Sequence, residues 1–252
     1  MSKTVFITGA TSGFGEATAR LFAKHGHHLI ITGRRKDRLE NLSQELTDKY
    51  NIDVTPLCFD VRNNDEVIRS INSLSNKNID VLINNAGLAS GLNKILNGSL
   101  DDWEKMIDTN IKGLLYVSKA IMPLMIKNKK GHIINIGSTA GKEAYLKGNV
   151  YCGTKHAVDA ISKSMRIDLL EHGIKVTQVC PGAAETEFSE VRLHGDKEKA
   201  KQVYAGYQPM TAEDVASVIY YTTTLPNNLC INDLVLTSLA QANSFYTEKE
   251  NK

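Results

Sequence analysis

The chain has 252 residues, of which 42% are hydrophobic and 23% are charged, and its formal net charge is +2. These values are ordinary for a soluble globular protein and give no indication of a nucleic-acid or anionic-membrane partner. The apolar runs are too short for a membrane-spanning helix, and the first of them, Val5–Ile7, is also too short for a signal peptide.

Short β-rich runs alternate with longer helical patterns along the chain. The predicted strands cover residues 4–8, 28–32, 54–59, 81–83, 132–136, 175–179 and 233–236. The predicted helices cover residues 13–25, 36–49, 63–74, 100–126, 150–172 and 212–223. Continuous apolar strands are typical of a parallel sheet covered on both faces. The alternation therefore predicts an α/β fold, one doubly wound parallel sheet of about seven strands. We expect a single domain over residues 1–252, with a frayed tail from about residue 245.

A glycine-rich turn follows the first predicted strand and opens the first helix. Its glycines allow the backbone to approach a pyrophosphate, and the amides of the helix start can hold that anion. A glycine-rich turn without a ligand is the alternative, but the position after an N-terminal strand favours nucleotide binding. We predict cofactor contacts along this turn from Gly9, Thr11, Ser12, Gly13, Phe14 and Gly15.

Two arginines, Arg34 and Arg35, end the second strand, where an NAD-binding site usually has an acid. Guanidinium groups bind phosphate well, so this pair favours the 2′-phosphate of NADP. A solvated helix start, or stacking of Arg34 on adenine, is the alternative interpretation, and the nearby Asp37 weakens the distinction.

The ends of the third and fourth strands supply further candidates. The Asp60 carboxylate can reach the amino group of adenine, or it can cap the helix that follows; the two roles are compatible. Asparagine and glycine at a strand exit are ordinary turn residues, yet beside the other motifs they can form a wall of the cofactor site. The predicted contacts here are Asp60, Val61, Asn84, Ala86 and Gly87.

Tyr151 and Lys155 stand four residues apart in a predicted helix and therefore share one face. A positive charge beside a phenol favours the phenolate and lowers the phenol pKa, which makes the tyrosine a proton donor and acceptor. A pair at this spacing often arises by chance. Ser138, thirteen residues earlier, adds a second hydroxyl.

These motifs occur in the order and spacing of the short-chain dehydrogenase/reductase family, which the chain resembles from Thr8 to Gly182. The resemblance implies a Rossmann-type fold, a nicotinamide cofactor and often a homotetramer or homodimer. It implies Tyr151 as the acid/base, Ser138 as the residue that orients the substrate oxygen, and Lys155 as a ribose ligand. It also implies that Asn110 supports a proton-relay water, and that Pro181, Gly182 and Thr186 contact the cofactor.

Finer features resemble one subgroup, the NADP-dependent 3-hydroxy acid dehydrogenases. They include Gly148–Tyr151 and the run Thr186–Ser189 followed by Val191 and Arg192. The resemblance implies substrates such as serine, allo-threonine and malonic semialdehyde, which carry a carboxylate near the reacting carbon. Arg192, in a long segment without clear periodicity, is the first candidate for its cationic partner, and Lys147 is the second.

Two other functions remain open from the sequence. A reductase of another carbonyl, such as a 3-oxoacyl thioester or a xenobiotic ketone, would need an apolar substrate loop, whereas residues 196–201 are highly charged. An NADP-sensing binding protein would be expected to have lost part of the Ser–Tyr–Lys set. The four cysteines, none in a Cys-x-x-Cys pair, favour a cytoplasmic protein with no metal site.

Overall fold

A computed structural model describes residues 2–249, which form a seven-stranded sheet with helices on both faces. The strands are β1 (Thr4–Ile7), β2 (His28–Gly33), β3 (Val54–Cys58), β4 (Val81–Asn84), β5 (Gly131–Ile136), β6 (Ile174–Pro181) and β7 (Asp233–Leu236). The helices are α1 (Gly13–Lys24), α2 (Lys36–Tyr50), α3 (Asn64–Asn72), α4 (Leu100–Ile107), α5 (Leu114–Lys127), α6 (Asn149–Asp168), α7 (Phe188–Arg192), α8 (Lys197–Val203) and α9 (Ala212–Thr224). None of the helices in this part of the chain is long and apolar enough to cross a membrane.

Every strand pair in the sheet is parallel, and the strand order is β3-β2-β1-β4-β5-β6-β7. The predicted doubly wound sheet is therefore confirmed. The order reverses between β1 and β4, so the loops that leave these two strands run in opposite directions. Such a switch point leaves a crevice at the carboxyl ends of the strands, where open α/β folds bind ligands.

The core has two halves, one on each face of the sheet. Phe6 packs with the face covered by α3, α5 and α6, whereas its neighbour Ile7 packs with the face covered by α1, α2 and α9. Successive residues of a strand point to opposite faces, so fully apolar strands are what this double burial requires.

Three segments differ from the sequence-based expectation. The helix predicted over 100–126 is divided by a π-helical turn, Asp108–Gly113, between α4 and α5. The segment after β6, which lacks a clear period, contains the short helices α7 and α8. The tail expected to fray from about residue 245 instead makes backbone hydrogen bonds, from Glu248 to Ala240 and from Ala242 to Tyr246, whereas residues 250–252 lie outside the described part of the chain.

Candidate active site

The crevice at the switch point opens into a cleft of about 710 Å³. The glycine turn after β1 and the end of β2 line one part of it, and Ser138, Tyr151 and Lys155 line another. Residues of the long segment after β6 lie along its rim, including Thr186 and Arg192. The cleft thus brings most of the predicted cofactor and catalytic residues into one space.

The glycine turn has the shape that close contact with a phosphate requires. Gly9 and Gly13 have positive φ angles of 68° and 53°, which disfavour any residue with a side chain. A Cβ atom on Gly15 would overlap the carbonyl of Gly9. The Asn85 side chain braces this turn by donating to the carbonyls of Thr8 and Gly9 at 2.8 and 3.1 Å. The turn and the start of α1 therefore fit a dinucleotide pyrophosphate.

The arginines at the end of β2 differ in their surroundings. Arg35 donates to Thr11 Oγ1 at 3.1 Å and to Ser12 Oγ at 2.7 Å, so its guanidinium lies against the glycine turn. Arg34 is more exposed, and its Nη1 lies 3.8 Å from an Asp60 oxygen. A third arginine, Arg38 in the first turn of α2, donates to the Thr11 carbonyl at 3.3 Å. Positive charge beside the turn fits a nucleotide with an additional phosphate.

Asp60 and Val61 line the cleft as predicted. The Asp60 carboxylate accepts from the side chain of Arg62, and these hydrogen bonds lower its pKa although burial acts to raise it. The helix after β3 is capped by Asn63, whose side chain accepts from the amides of Asp65 and Glu66. Capping by Asp60, the alternative considered for this residue, is therefore not its role.

Asn84 is a correction, because its side chain points away from the cofactor cleft. It is buried in the interior and donates to Ser118 and to Asn135, each at 2.9 Å. Asn85 lines the cleft in its place, with Ala86 and Gly87. Successive residues of a strand point to opposite sides, and within the motif Asn84–Gly87, predicted as a wall of the site, it is Asn85 and not Asn84 that faces the cleft.

The two hydroxyl groups enter the cleft from different elements. Ser138 follows β5 and caps a short 3-10 turn, Thr139–Gly141, by accepting from the Ala140 amide at 3.1 Å. Tyr151 lies in the first turn of α6 and is 8% exposed, with its ring 5.7 Å from the ring of Phe188. Burial raises the Tyr151 pKa and the adjacent Tyr145 adds to this, whereas Ser138 and Arg192 act to lower it.

Lys155 lies one turn after Tyr151 on the same face of α6, as predicted, but its electrostatic effect differs. Its ammonium lies 6.0 Å from the centre of the Tyr151 ring and donates to the Ile136 carbonyl at 2.8 Å. Burial lowers the pKa of Lys155 to about 8. The expected lowering of the phenol pKa by this lysine is therefore outweighed: burial disfavours the charged form of both residues.

Asn110 lies in the π-helical turn, a feature that is frequent at functional sites. Its side chain accepts from the Leu88 amide at 2.9 Å and donates to the Leu88 carbonyl and to Thr154 Oγ1. It therefore ties the loop after β4 to α6, the helix that carries Tyr151. Support of a proton-relay water by Asn110 stays a prediction.

The two candidate carboxylate partners lie in different places. The Arg192 guanidinium is 5.6 Å from the centre of the Tyr151 ring and donates to the Tyr145 hydroxyl at 2.8 Å. Its Nη2 atom is buried and has no hydrogen-bond partner among the described residues. Lys147 is exposed and lines a small pocket beside the cleft. Arg192 therefore combines proximity to the Tyr151 ring with a buried donor, whereas the side chain of Lys147 is exposed.

The remaining cofactor candidates lie along the mouth of the cleft. Pro181 ends β6, and Gly182 packs so closely against Gln241 that a Cβ atom there would overlap its side chain. The methyl group of Thr186 would lie 3.6 Å from a Cβ atom on Gly13, which brings the segment after β6 across the cleft to the glycine turn.

Several residues of the cleft were missed by the sequence-based reasoning. They are Tyr145, Glu187 and Phe188, which line the cleft, and Arg38, which lies next to it and donates to Glu187. Arg38 had a usable signal, because it follows Arg35 by three positions and residues at that spacing share one face of a helix. Tyr145 and Phe188 are brought to Tyr151 only by folding, and no local pattern marks them.

Comparison with known proteins gives consistent matches. The family model described as short chain dehydrogenase matches residues 3–197. An NADP-dependent 3-hydroxy acid dehydrogenase of Escherichia coli K12 is 45% identical over 241 residues, 94% of this chain and 96% of that protein. A serine 3-dehydrogenase of Agrobacterium fabrum is 43% identical over 244 residues, 96% of each chain. A solved structure, the closed form of serine dehydrogenase complexed with NADP⁺, has a TM-score of 0.91 and 42% identity, and covers 98% of this chain and 100% of that one.

Proposed function

Because the chain belongs to the short-chain dehydrogenase family, we propose that it is an oxidoreductase that transfers a hydride between NADP(H) and C3 of short 3-hydroxy acids or their carbonyl forms. Serine, allo-threonine and the 3-hydroxypropionate/malonic semialdehyde pair are the proposed substrates. The observation that carries the substrate class is the free, buried Nη2 of Arg192 beside Tyr151. A guanidinium in that position pairs best with a carboxylate.

The nicotinamide cofactor supplies or accepts the hydride when bound. Ser138 and Tyr151 then place two hydroxyl groups on the substrate oxygen, where they stabilise the negative charge that develops during carbonyl reduction. Tyr151 donates its proton to that oxygen, and in alcohol oxidation it accepts the proton. Lys155, held by the Ile136 carbonyl, is placed to bind a ribose hydroxyl, and its charge favours the phenolate when Tyr151 acts as a base.

The glycine turn and the arginines at the end of β2 would hold the rest of NADP(H). The turn and the N-terminus of α1 bind the pyrophosphate, and Arg35 with Ser12 binds the 2′-phosphate. Arg34 would cover the adenine, and Asp60 and Val61 would line its pocket. Gly87, Pro181, Gly182 and Thr186 would complete the nicotinamide side.

Two alternatives are less well supported. A reductase of larger ketones or thioesters would not need a buried cation with an unused donor, whereas Arg192 provides one. An NADP-sensing binding protein would not need Ser138, Tyr151 and Lys155 to meet in one cleft, and here they do.

We also propose a homotetramer or homodimer in the cytoplasm. Large apolar side chains are exposed near the end of the chain, including Val235, Leu239 and Phe245, and such residues are suited to an interface between subunits. The four cysteines are free thiols, which fits a reducing compartment.

The test follows NADPH absorbance with a panel of 3-hydroxy acids, 2-hydroxy acids, simple secondary alcohols and semialdehydes. We expect NADP-dependent oxidation of 3-hydroxy acids and little of uncharged alcohols of the same length. Equal rates for acids and uncharged alcohols would contradict the proposed substrate class, and no turnover of any compound would contradict the enzymatic function.

A further inference from the structure

A salt bridge joins the two walls of the cleft at the adenosine end. The Glu187 carboxylate, which immediately precedes α7, accepts from Arg35 Nη1 at 2.9 Å and from Arg38 Nη1 at 2.7 Å. Glu187 is separated from these arginines by about 150 residues of sequence, since Arg35 and Arg38 lie 152 and 149 positions earlier. Hydrogen bonds to both arginines lower the pKa of this carboxyl, although burial acts to raise it. Glu187 is therefore an anion held by a basic cluster that consists of Arg35 and Arg38.

The same guanidinium groups are the donors that a 2′-phosphate needs. The Nε and Nη2 atoms of Arg35 are directed to Thr11 and Ser12, so Nη1 is the donor that remains for an anion in the cleft. Glu187 occupies that donor and the neighbouring one of Arg38. A carboxylate and a phosphate oxygen cannot both accept the same N–H groups in good geometry.

The salt bridge is also connected to the substrate end of the cleft. Glu187 is the residue from which α7 begins, and the Val191 amide donates to its carbonyl at 3.0 Å. That five-residue helix carries Phe188, which packs on Tyr151, and Arg192, the proposed carboxylate partner. One short segment thus contacts the 2′-phosphate donors at its start and the catalytic tyrosine along its length.

We infer that the Glu187 carboxylate occupies the position of the 2′-phosphate on Arg35 and Arg38. When NADP(H) binds, its 2′-phosphate displaces this carboxylate and so releases the start of α7. This inference rests on the proposed function for its ligand. Glu187 would then be a specificity-determining residue. A nucleotide with a 2′-phosphate can replace the carboxylate on both arginines, whereas a nucleotide without one could open the salt bridge only by leaving Arg35 and Arg38 unpaired. The side chains of Glu187, Arg35 and Arg38 are 41–50% exposed, so a 2′-phosphate can reach the arginines and replace the carboxylate without a change in the packed core.

The first test measures binding by isothermal titration of the purified protein with NADPH and with NADH. In Glu187→Gln the competing anion is lost, so we expect NADPH to bind about three- to tenfold more tightly, the value of two partly exposed ion pairs. NADH affinity should stay unchanged. The matched control is Glu190→Gln, which removes a charge three residues along α7 that pairs with Lys197 and not with the cluster.

The outcomes separate this inference from the proposed function. If wild-type protein binds neither nucleotide, or prefers NADH, the proposed cofactor is wrong. If wild-type protein prefers NADPH but Glu187→Gln binds it equally or more weakly, then only the competition is refuted. An equal gain in Glu190→Gln would show a general charge effect and would also refute it.

The second test follows hydrogen exchange of residues 188–193. Saturating 2′,5′-ADP carries the 2′-phosphate and ADP lacks it, whereas neither ligand carries nicotinamide. We expect exchange about three- to tenfold faster with 2′,5′-ADP than with ADP in the wild type, because α7 loses its anchor. Glu187→Gln should show no difference between the two ligands. Equal exchange with both ligands in the wild type would contradict release of the helix.

Discussion

Replacement of Arg192 by glutamine tests the substrate assignment most directly. Arg192→Gln removes the positive charge but keeps a side chain that can still accept from or donate to Tyr145, its partner at 2.8 Å. A hydrogen bond to a charged group contributes about 1.5–3 kcal/mol. The bond from Arg192 to a substrate carboxylate should lie within that range, because the free Nη2 atom is buried and water competes little for it. Since about 1.4 kcal/mol corresponds to a factor of ten, kcat/KM for a carboxylate substrate should fall about 10- to 150-fold.

The assay compares two aldehydes of equal chain length in the direction of reduction, with NADPH and at neutral pH. Malonic semialdehyde carries a carboxylate and propanal does not, so the loss should be confined to malonic semialdehyde. Arg20→Gln is the control for loss of an arginine, because Arg20 pairs with Glu16 and Glu45 on the outer surface. An equal loss for both aldehydes, or no loss for either, would refute Arg192 as the carboxylate partner.

Three further changes test the rest of the site. Tyr151→Phe should lower turnover by roughly 10²- to 10⁴-fold and leave NADPH binding unchanged by titration, and full turnover would exclude Tyr151 as the acid/base. Arg35→Ala should weaken binding of NADPH by about tenfold or more and leave NADH nearly unaffected, whereas an equal loss for both would exclude recognition of the 2′-phosphate. Lys155→Met should remove a pH dependence of the free energy of unfolding measured in urea, because burial lowers the lysine pKa from 10.5 to about 8. That pKa is lower in the folded than in the unfolded protein, so the wild type gains stability relative to the variant, by about 3 kcal/mol, as the pH rises from about 8 to 10.5. A constant difference would contradict the buried ammonium.

Much of the site was predictable because parallel strands all deliver their carboxyl ends to one edge of the sheet. The glycine turn after β1, the arginines after β2 and Ser138 after β5 follow strands that the apolar pattern reveals, so their convergence follows from the topology. The Tyr151–Lys155 pair needed only the helical period.

What could not be predicted depends on contacts between distant segments or on single-residue register. Asn84 and Asn85 are adjacent, and only the position of the strand end decides which of them faces the cleft. The Glu187–Arg35 salt bridge joins residues 152 positions apart, and it has no local signature. The direction in which the Tyr151 pKa shifts depends on burial, which is a property of the folded chain and outweighs the effect of nearby positive charge.

The pH dependence of alcohol oxidation distinguishes two roles of Arg192, which are to pair with the substrate carboxylate and to lower the pKa of Tyr151. Burial raises that pKa first, Tyr145 raises it further, and Arg192 lowers it. In alcohol oxidation Tyr151 must accept a proton, so the rate should rise with pH along the limb set by this phenol. With an uncharged alcohol as substrate, Arg192→Gln should move that limb to higher pH, whereas Tyr145→Phe should move it to lower pH. Shifts of both variants in the same direction would contradict an electrostatic effect of Arg192 on the phenol and would leave the substrate carboxylate as its only target.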